Sequence, residues 1–242
     1  MTDRLTPTDG EAARPAARWE DYVDVFFSPA ELFRRRARDS VVPPLITLLT
    51  LAVLFYLLLL PANAMITRAA MASNPRGVVL SGNTMLVIQL VGAVAVPVSY
   101  VAFIVFAAAL LWLVGRFAEI RTDFSRTLLI ATYGGFILLL SQLVAGALIL
   151  LHGEAGLDPI RHLSLGVLRI TGAEGVGRAL VPLLRRLDVF AIWQAALWAV
   201  GLHAIYRTTR SQAAIVAAVS WLLFAVPGLI MAALGLGQPP QS

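Results

Sequence analysis

Cysteine and lysine are both absent from the 242 residues, and charged side chains of every kind make up only 14% of them. The lack of cysteine excludes disulfides, thiolate metal sites and cysteine nucleophiles. Because lysine is missing, all 19 basic residues are arginine, and the formal charge of +5 sits mainly in short segments beside apolar runs. There the nearest polyanion is lipid rather than nucleic acid, so no nucleic-acid partner is expected. Histidine occurs three times, with no His-Glu-x-x-His motif, no aspartate pair inside an apolar run and no credible serine–histidine pairing within one site. The parts of an intramembrane protease are therefore missing, and no enzymatic role is expected. The start has no apolar stretch of the kind that makes a cleaved signal peptide.

Apolar sequence is plentiful. Hydrophobic residues reach 59% of the chain, and they gather in runs long enough to cross roughly 30 Å of hydrocarbon as helix. The expected fold is a single all-α polytopic membrane protein, a bundle of five transmembrane helices with an N-terminal interfacial amphipathic helix. The spans fall at about 41–60, 85–115, 127–151, 188–206 and 213–236. The second is longer than a perpendicular crossing needs, so it should tilt, bend at Pro97 or begin in the interface. Between the first two, 62–84 reads as a loop, closed off from the first span by Pro61 and carrying a turn at Asn74-Pro75-Arg76-Gly77. Pro227-Gly228 should bend the last span, leaving a carbonyl for Ser220 or Gln194 to satisfy. Residues 1–17 form a polar, proline-containing tail and 237–242 a terminal stub.

The short Arg207-Thr-Thr-Arg210 turn between the last two spans pins their join to the cytoplasmic side. With five spans this places the N-terminus inside and the C-terminus outside. Twelve of the nineteen arginines then lie on the cytoplasmic face. A chain rich in Ala, Leu, Val and Arg but devoid of Lys and Cys fits a GC-rich bacterial gene, hence a bacterial plasma membrane.

Residues 18–40 carry the cleanest local pattern. Trp19, Tyr22, Val23 and Phe26 recur at helical spacing, with Glu20, Asp21 and Asp24 on the other face. Ser28, Pro29 and Glu31 form a capping-box start, and Phe27 with Leu32 would make a hydrophobic staple. The helix that follows sets Ala30, Phe33 and Ala37 on one side and Arg34, Arg35, Arg36 and Arg38 around the rest. Two readings account for these arginines: an amphipathic helix on the anionic cytoplasmic leaflet, or a positive-inside topology signal alone. On the first reading, Trp19, Tyr22, Phe26, Phe33, Arg34, Arg35, Arg36 and Arg38 form the lipid- or partner-binding set.

Within the spans, Tyr133, Gln142, Gln194 and His203 are the polar groups that a transporter or channel cavity would use. The alternative is interhelical hydrogen bonding, in which Ser141 and Tyr206 would join. Asp188, beside Arg185 and Arg186, is placed to cap the fourth span, and His203 lies one turn from Arg207 at an interface. In the outer segment, His152, Glu154, Asp158 and His162 match no compact zinc spacing and read as solvated loop groups. Gly172, Gly175 and Gly177 follow no strand, so no nucleotide loop is implied. No metal or cofactor is expected. Ser141-x-x-x-Ala145 and Gly228-x-x-x-Ala232 allow close helix approach, within one chain or between copies.

Asp24-Val-Phe-Phe-Ser-Pro29, Leu187-Asp-Val-Phe-Ala-Ile-Trp193, Gly201 ahead of the arginine-bracketed turn, and Trp221 together resemble the Yip family. These are polytopic, Ypt/Rab-interacting membrane proteins, and the likeness extends over about residues 19–234. Eukaryotic members carry Asp-Leu-Tyr-Gly-Pro where the segment here is one residue longer, and Gly-Tyr where this chain reads Tyr133-Gly134. The resemblance implies five spans, a cytoplasmic N-terminal region and a non-enzymatic scaffold or adaptor that binds lipid and a protein partner, or a second copy of itself.

Overall fold

The computed structural model describes residues 19–72, 82–171 and 180–234. The N-terminal tail, the expected Asn74–Gly77 turn, the glycines at 172, 175 and 177 and the C-terminal stub lie outside them. Two short helices, α1 (Glu20–Phe27) and α2 (Pro29–Arg36), form an N-terminal arm. The next pair, α3 (Val42–Leu58) and α4 (Leu60–Ala72), meets at a bend of 67°. Two long helices follow, α5 (Gly82–Phe117) and α6 (Phe124–His152). Three short ones, α7 (Pro159–Leu163), α8 (Val167–Thr171) and α9 (Val181–Leu184), lead to the closing hairpin of α10 (Val189–Tyr206) and α11 (Arg210–Leu223), extended by α12 (Val226–Ala233).

Four segments are long and apolar enough to cross a membrane: α5, α6, α10 and Arg210–Met231. A fifth is reached if the bent pair α3–α4 is one broken span. The chain is an integral, all-helical polytopic membrane protein, as the apolar runs lead one to expect. Its exterior confirms the choice of solvent. Leu86, Val91, Val94 and Val98 on α5, Ile192 on α10 and Ile215 on α11 are all exposed, while polar Thr127, Thr132, Gln194 and Ser220 are buried. In lipid the apolar exterior needs no cover, and each buried polar group must find its partner within the bundle.

The expected loop fails after Pro61. The first straight helix does end beside it, at Leu58, but Pro61 occupies the first turn of a new helix, where its missing N–H costs nothing. Thus α4 takes up the first half of the expected loop, and its Arg68 forms a two-pronged pair with Glu154, at 2.6 and 3.1 Å. Pro97, by contrast, sits inside an unbroken α5. The expected break near Pro227 is present: α11 ends at Leu223 and α12 restarts one residue before the proline. Ser220 does not close that gap with its side chain, since its Oγ is buried without a hydrogen-bond partner.

The central helix is α6, which packs against α3, α4, α5, α7, α10 and the arm. Close approach needs small residues. A Cβ on Gly134 would stand 2.4 Å from Nε1 of Trp198, so only glycine admits that indole between α6 and α10. At the same contact Gln194 Nε2 donates to the Gly134 carbonyl at 2.9 Å. One residue type thus serves both backbone approach and an interhelical hydrogen bond. Gly134→Ala should destabilise the bundle by about 1–3 kcal/mol through overpacking. Thermal unfolding in lipid discs should show a lowered midpoint for it and little change for Gly82→Ala, which meets nothing within 4 Å.

Candidate functional site

One end of the bundle gathers the C-terminal ends of α2, α5 and α10, the starts of α3, α6 and α11, and most exposed arginines. Its joints are fixed by local chemistry. Tyr206 Oη donates to the Asp123 carbonyl at 2.9 Å and accepts from the Asp123 N–H at 3.1 Å, tying the end of α10 to the start of α6. Asp123 itself caps α6 through Ser125 N. Thr209 and Gln212 form a reciprocal capping box at the start of α11. The Thr-x-x-Gln signal for that box was present in the sequence. His203 Nδ1 lies 2.7 Å from the Thr208 carbonyl, which braces the turn from inside. At the other end of α10, Asp188 caps the helix as expected, accepting from Phe190 N at 2.9 Å and also from Leu165 N at 2.6 Å.

The arm does not present its aromatic face outward. Val25, Leu32 and Phe33 are fully buried in the main core. Phe33 meets Tyr133 edge to face at 5.8 Å, Phe26 meets Trp193 at 5.7 Å, and Tyr22 lies 5.4 Å from Phe136. Tyr22 Oη also shares a 2.9 Å hydrogen bond with Thr47 Oγ1. A Cβ on Gly201 would stand 3.2 Å from the Phe33 ring and 3.0 Å from Ile130, so this glycine makes room for the arm. Phe33 and Arg36, expected among the outward-facing residues, are therefore buried, and Tyr22 and Phe26 are turned inward. Trp19 and Phe27 remain outside, 74% and 81% exposed. The expected staple is consequently absent, because Leu32 is in the core and Phe27 is not. The Ser28 capping bond is absent too, although Pro29 does start α2.

What holds the arm is ionic. Asp21, with no exposed surface, accepts from Arg36 Nε at 2.8 Å, and Arg36 also donates to Asp39 at 2.7 Å. Arg35 bridges Asp21 and Asp24, the latter at 2.6 Å. Burial by itself would raise the Asp21 pKa, but hydrogen bonds and charge from Arg36 and Arg35 outweigh it and hold the carboxyl below its ordinary value. Helical spacing set Asp21 with Glu20 and Asp24 opposite the aromatic residues, and it gave no sign that Asp21 is buried.

The intramembrane polar residues do not converge. Tyr133 packs on Phe33, Gln142 accepts from Tyr100 Oη at 3.1 Å, Gln194 bonds Gly134, and His203 bonds Thr208. Gln194 lines a 160 Å³ cavity with Ser141, Arg186 and Asp188, while His203 lines a separate 890 Å³ cavity at the arginine-bearing end. Gln142 and Gln194 thus make interhelical hydrogen bonds, Tyr133 packs on the arm, His203 bonds within its own turn, and Gln194 and His203 line different cavities. In the 152–162 segment, His152 and His162 stack at 4.4 Å, Glu154 pairs with Arg68, and no metal-holding cluster occurs among the described residues.

Against known protein families, residues 23–231 match the Yip1 domain. The chain belongs to the Yip1 domain family. The match begins inside α1 and ends in α12, so it takes in α2 and the closing hairpin, while Asp21 lies two residues ahead of it. No curated protein and no solved structure gives a significant match.

Because the folded Asp21 pKa is depressed, its contribution to docking is complete above the free carboxyl value, about 3.9. That contribution is lost as the pH falls through the lowered value. Removing one partner of a buried pair costs about 3–5 kcal/mol. Spin labels on Val23→Cys and Arg121→Cys, in a chain with no other thiol, should give one narrow distance from pH 7 down to the free carboxyl value and broaden only as the pH falls through the lowered Asp21 value. Asp21→Asn should be broad already at pH 7; a narrow distribution there would contradict the ionic account.

Proposed function

We propose that this Yip1-domain protein is a non-enzymatic membrane scaffold. Its arginine-bearing end faces the cytoplasm of a bacterial plasma membrane and binds anionic lipid together with a protein partner or a second copy. The observation that carries this is the docked arm. With Asp21 and Arg36 locking its inner face, the arm holds Trp19, Arg34 and Arg38 outward at the end that also carries exposed Phe117, Arg121, Arg126 and Arg210. Exposed aromatic and arginine side chains on one rigid end suit the headgroup layer and protein contacts alike, since both reward amphipathic rings and planar cationic donors. The cytoplasmic orientation follows from the arginine bias of the connecting segments.

Each arginine near an anionic surface contributes about 1 kcal/mol. A polarity-sensitive fluorophore on Trp19→Cys should therefore shift to the blue in phosphatidylglycerol discs but not in phosphatidylcholine discs. Arg34→Gln with Arg38→Gln should remove most of that shift. In whole cells, Thr208→Cys should resist a membrane-impermeant thiol reagent that labels it in inverted vesicles. Identical emission in both lipids, or labelling from outside the cell, would overturn the reading.

A further inference from the structure

The 890 Å³ cavity at the arginine-bearing end is lined by Arg34, Arg35 and Arg38 of the arm, Arg126 of α6, His203 of α10 and Arg207 just beyond it, over a small apolar floor. We infer that it is a binding site for a phosphomonoester or diphosphate group, presented either by a lipid headgroup or by a free phosphate compound. The inference rests on charge placement more than on charge number. Among the lining residues Asp39 is the one carboxylate, and it already accepts from Arg36; Arg35 is likewise held by Asp21 and Asp24. Arg34, Arg38 and Arg207 form no salt bridge among the described residues, and the nearest carboxylate oxygen to Arg126 Nε is 4.0 Å away, on Asp123.

Two of these arginines sit where local structure disfavours them. Arg126 occupies the first turn of α6, where the helix dipole opposes a cation and favours an anion. Arg207 follows the last residue of α10 with φ 53° and ψ 28°, a left-handed position that glycine fills without strain. A bound anion would offset the first cost, and retention of a long cationic side chain at the second fits a ligand contact. The His203–Thr208 and Tyr206–Asp123 hydrogen bonds hold Arg207 and Arg126 in place before any ligand arrives.

The volume lies within the usual range for small-molecule sites and exceeds what a single sulfate-sized ion fills. No phenyl, phenol or indole ring lines the cavity, so nothing is set to stack a nucleobase. Planar guanidinium groups approaching from three elements instead suit the several oxygens of a phosphate with two charges.

The inference depends on the scaffold reading only in placing this cavity at headgroup depth, so its test is run on the purified full chain irrespective of orientation. In phosphatidylcholine discs, pyrophosphate is titrated and thermal unfolding followed. Separately, native mass spectrometry counts phosphatidic acid against phosphatidylglycerol retained per chain. Stabilisation by pyrophosphate supports a free phosphate compound as the source, and selective retention of phosphatidic acid supports a headgroup. In whichever arm responds, Arg126→Gln should weaken binding about tenfold or more, and Arg161→Gln at the far end should not. Arg207→Gly relieves the positive φ, so it should raise the unfolding temperature while still losing binding, which separates ligand loss from misfolding. No pyrophosphate effect combined with equal retention of the two lipids would overturn the site. That result would leave the Trp19 lipid-contact and labelling experiments untouched; conversely, external labelling of Thr208→Cys would sink the scaffold orientation while phosphate binding stood.

Discussion

A carboxylate and a guanidinium taken out of water together decide how this molecule is built. Asp21 and Arg36 belong to different helices of a short arm, and each is buried to a degree that neither could tolerate alone. Their pairing, extended by Arg35 and Asp39, lets the arm carry Phe33 into the space between α6 and α10. An arm with this arginine content would otherwise stay at the water–lipid boundary. The ionic cluster is thus the condition for the aromatic packing, and the aromatic packing fixes where the remaining arginines point.

The bundle beneath supplies the matching surface. Gly201 leaves room for the Phe33 ring, Gly134 leaves room for Trp198, and Tyr133 receives Phe33 on its edge. In hydrocarbon there is no hydrophobic gain from bringing helices together, so such close approaches and the Gln194–Gly134 bond carry much of the association. At the arginine-bearing end the Tyr206–Asp123 link and the Thr209 capping box tie the connecting loops to the helices they join. Backbone fixed in this way under a rim of arginines is what distinguishes a built anion site from a merely basic surface.

Much of this was legible before the structure. Long uncharged runs announce spans because no other element satisfies the backbone in lipid, and the Asp188 cap followed from a lone acid ahead of an apolar run. Tyr133-Gly134-Gly135 stood out, although the reason, a tryptophan pressed on the glycine, needs the partner helix. The inward face of the arm was hidden. Four arginines within five residues put charge on every side of α2, so periodicity could not choose a face. Asp21 looked solvated because its partner lies 15 residues away on another helix. At Pro61 the ambiguity was physical: proline ends one helix and begins the next with equal ease, and only tertiary packing turned α4 by 67°. The arginine-lined cavity could not be read from spacing at all, since its walls come from the arm, the start of α6 and the end of α10.

A double-mutant cycle on Asp21→Asn and Arg36→Gln tests the central claim most directly. The free energy of arm docking would be read from the rate at which a thiol at Val25→Cys, buried in the folded arm, becomes modified in lipid discs. The account predicts that each single change exposes the thiol strongly and that the double change adds little, a coupling of about 2–3 kcal/mol. Additive effects, with coupling below about 0.5 kcal/mol, would show that the aromatic contacts dock the arm unaided and would contradict the account.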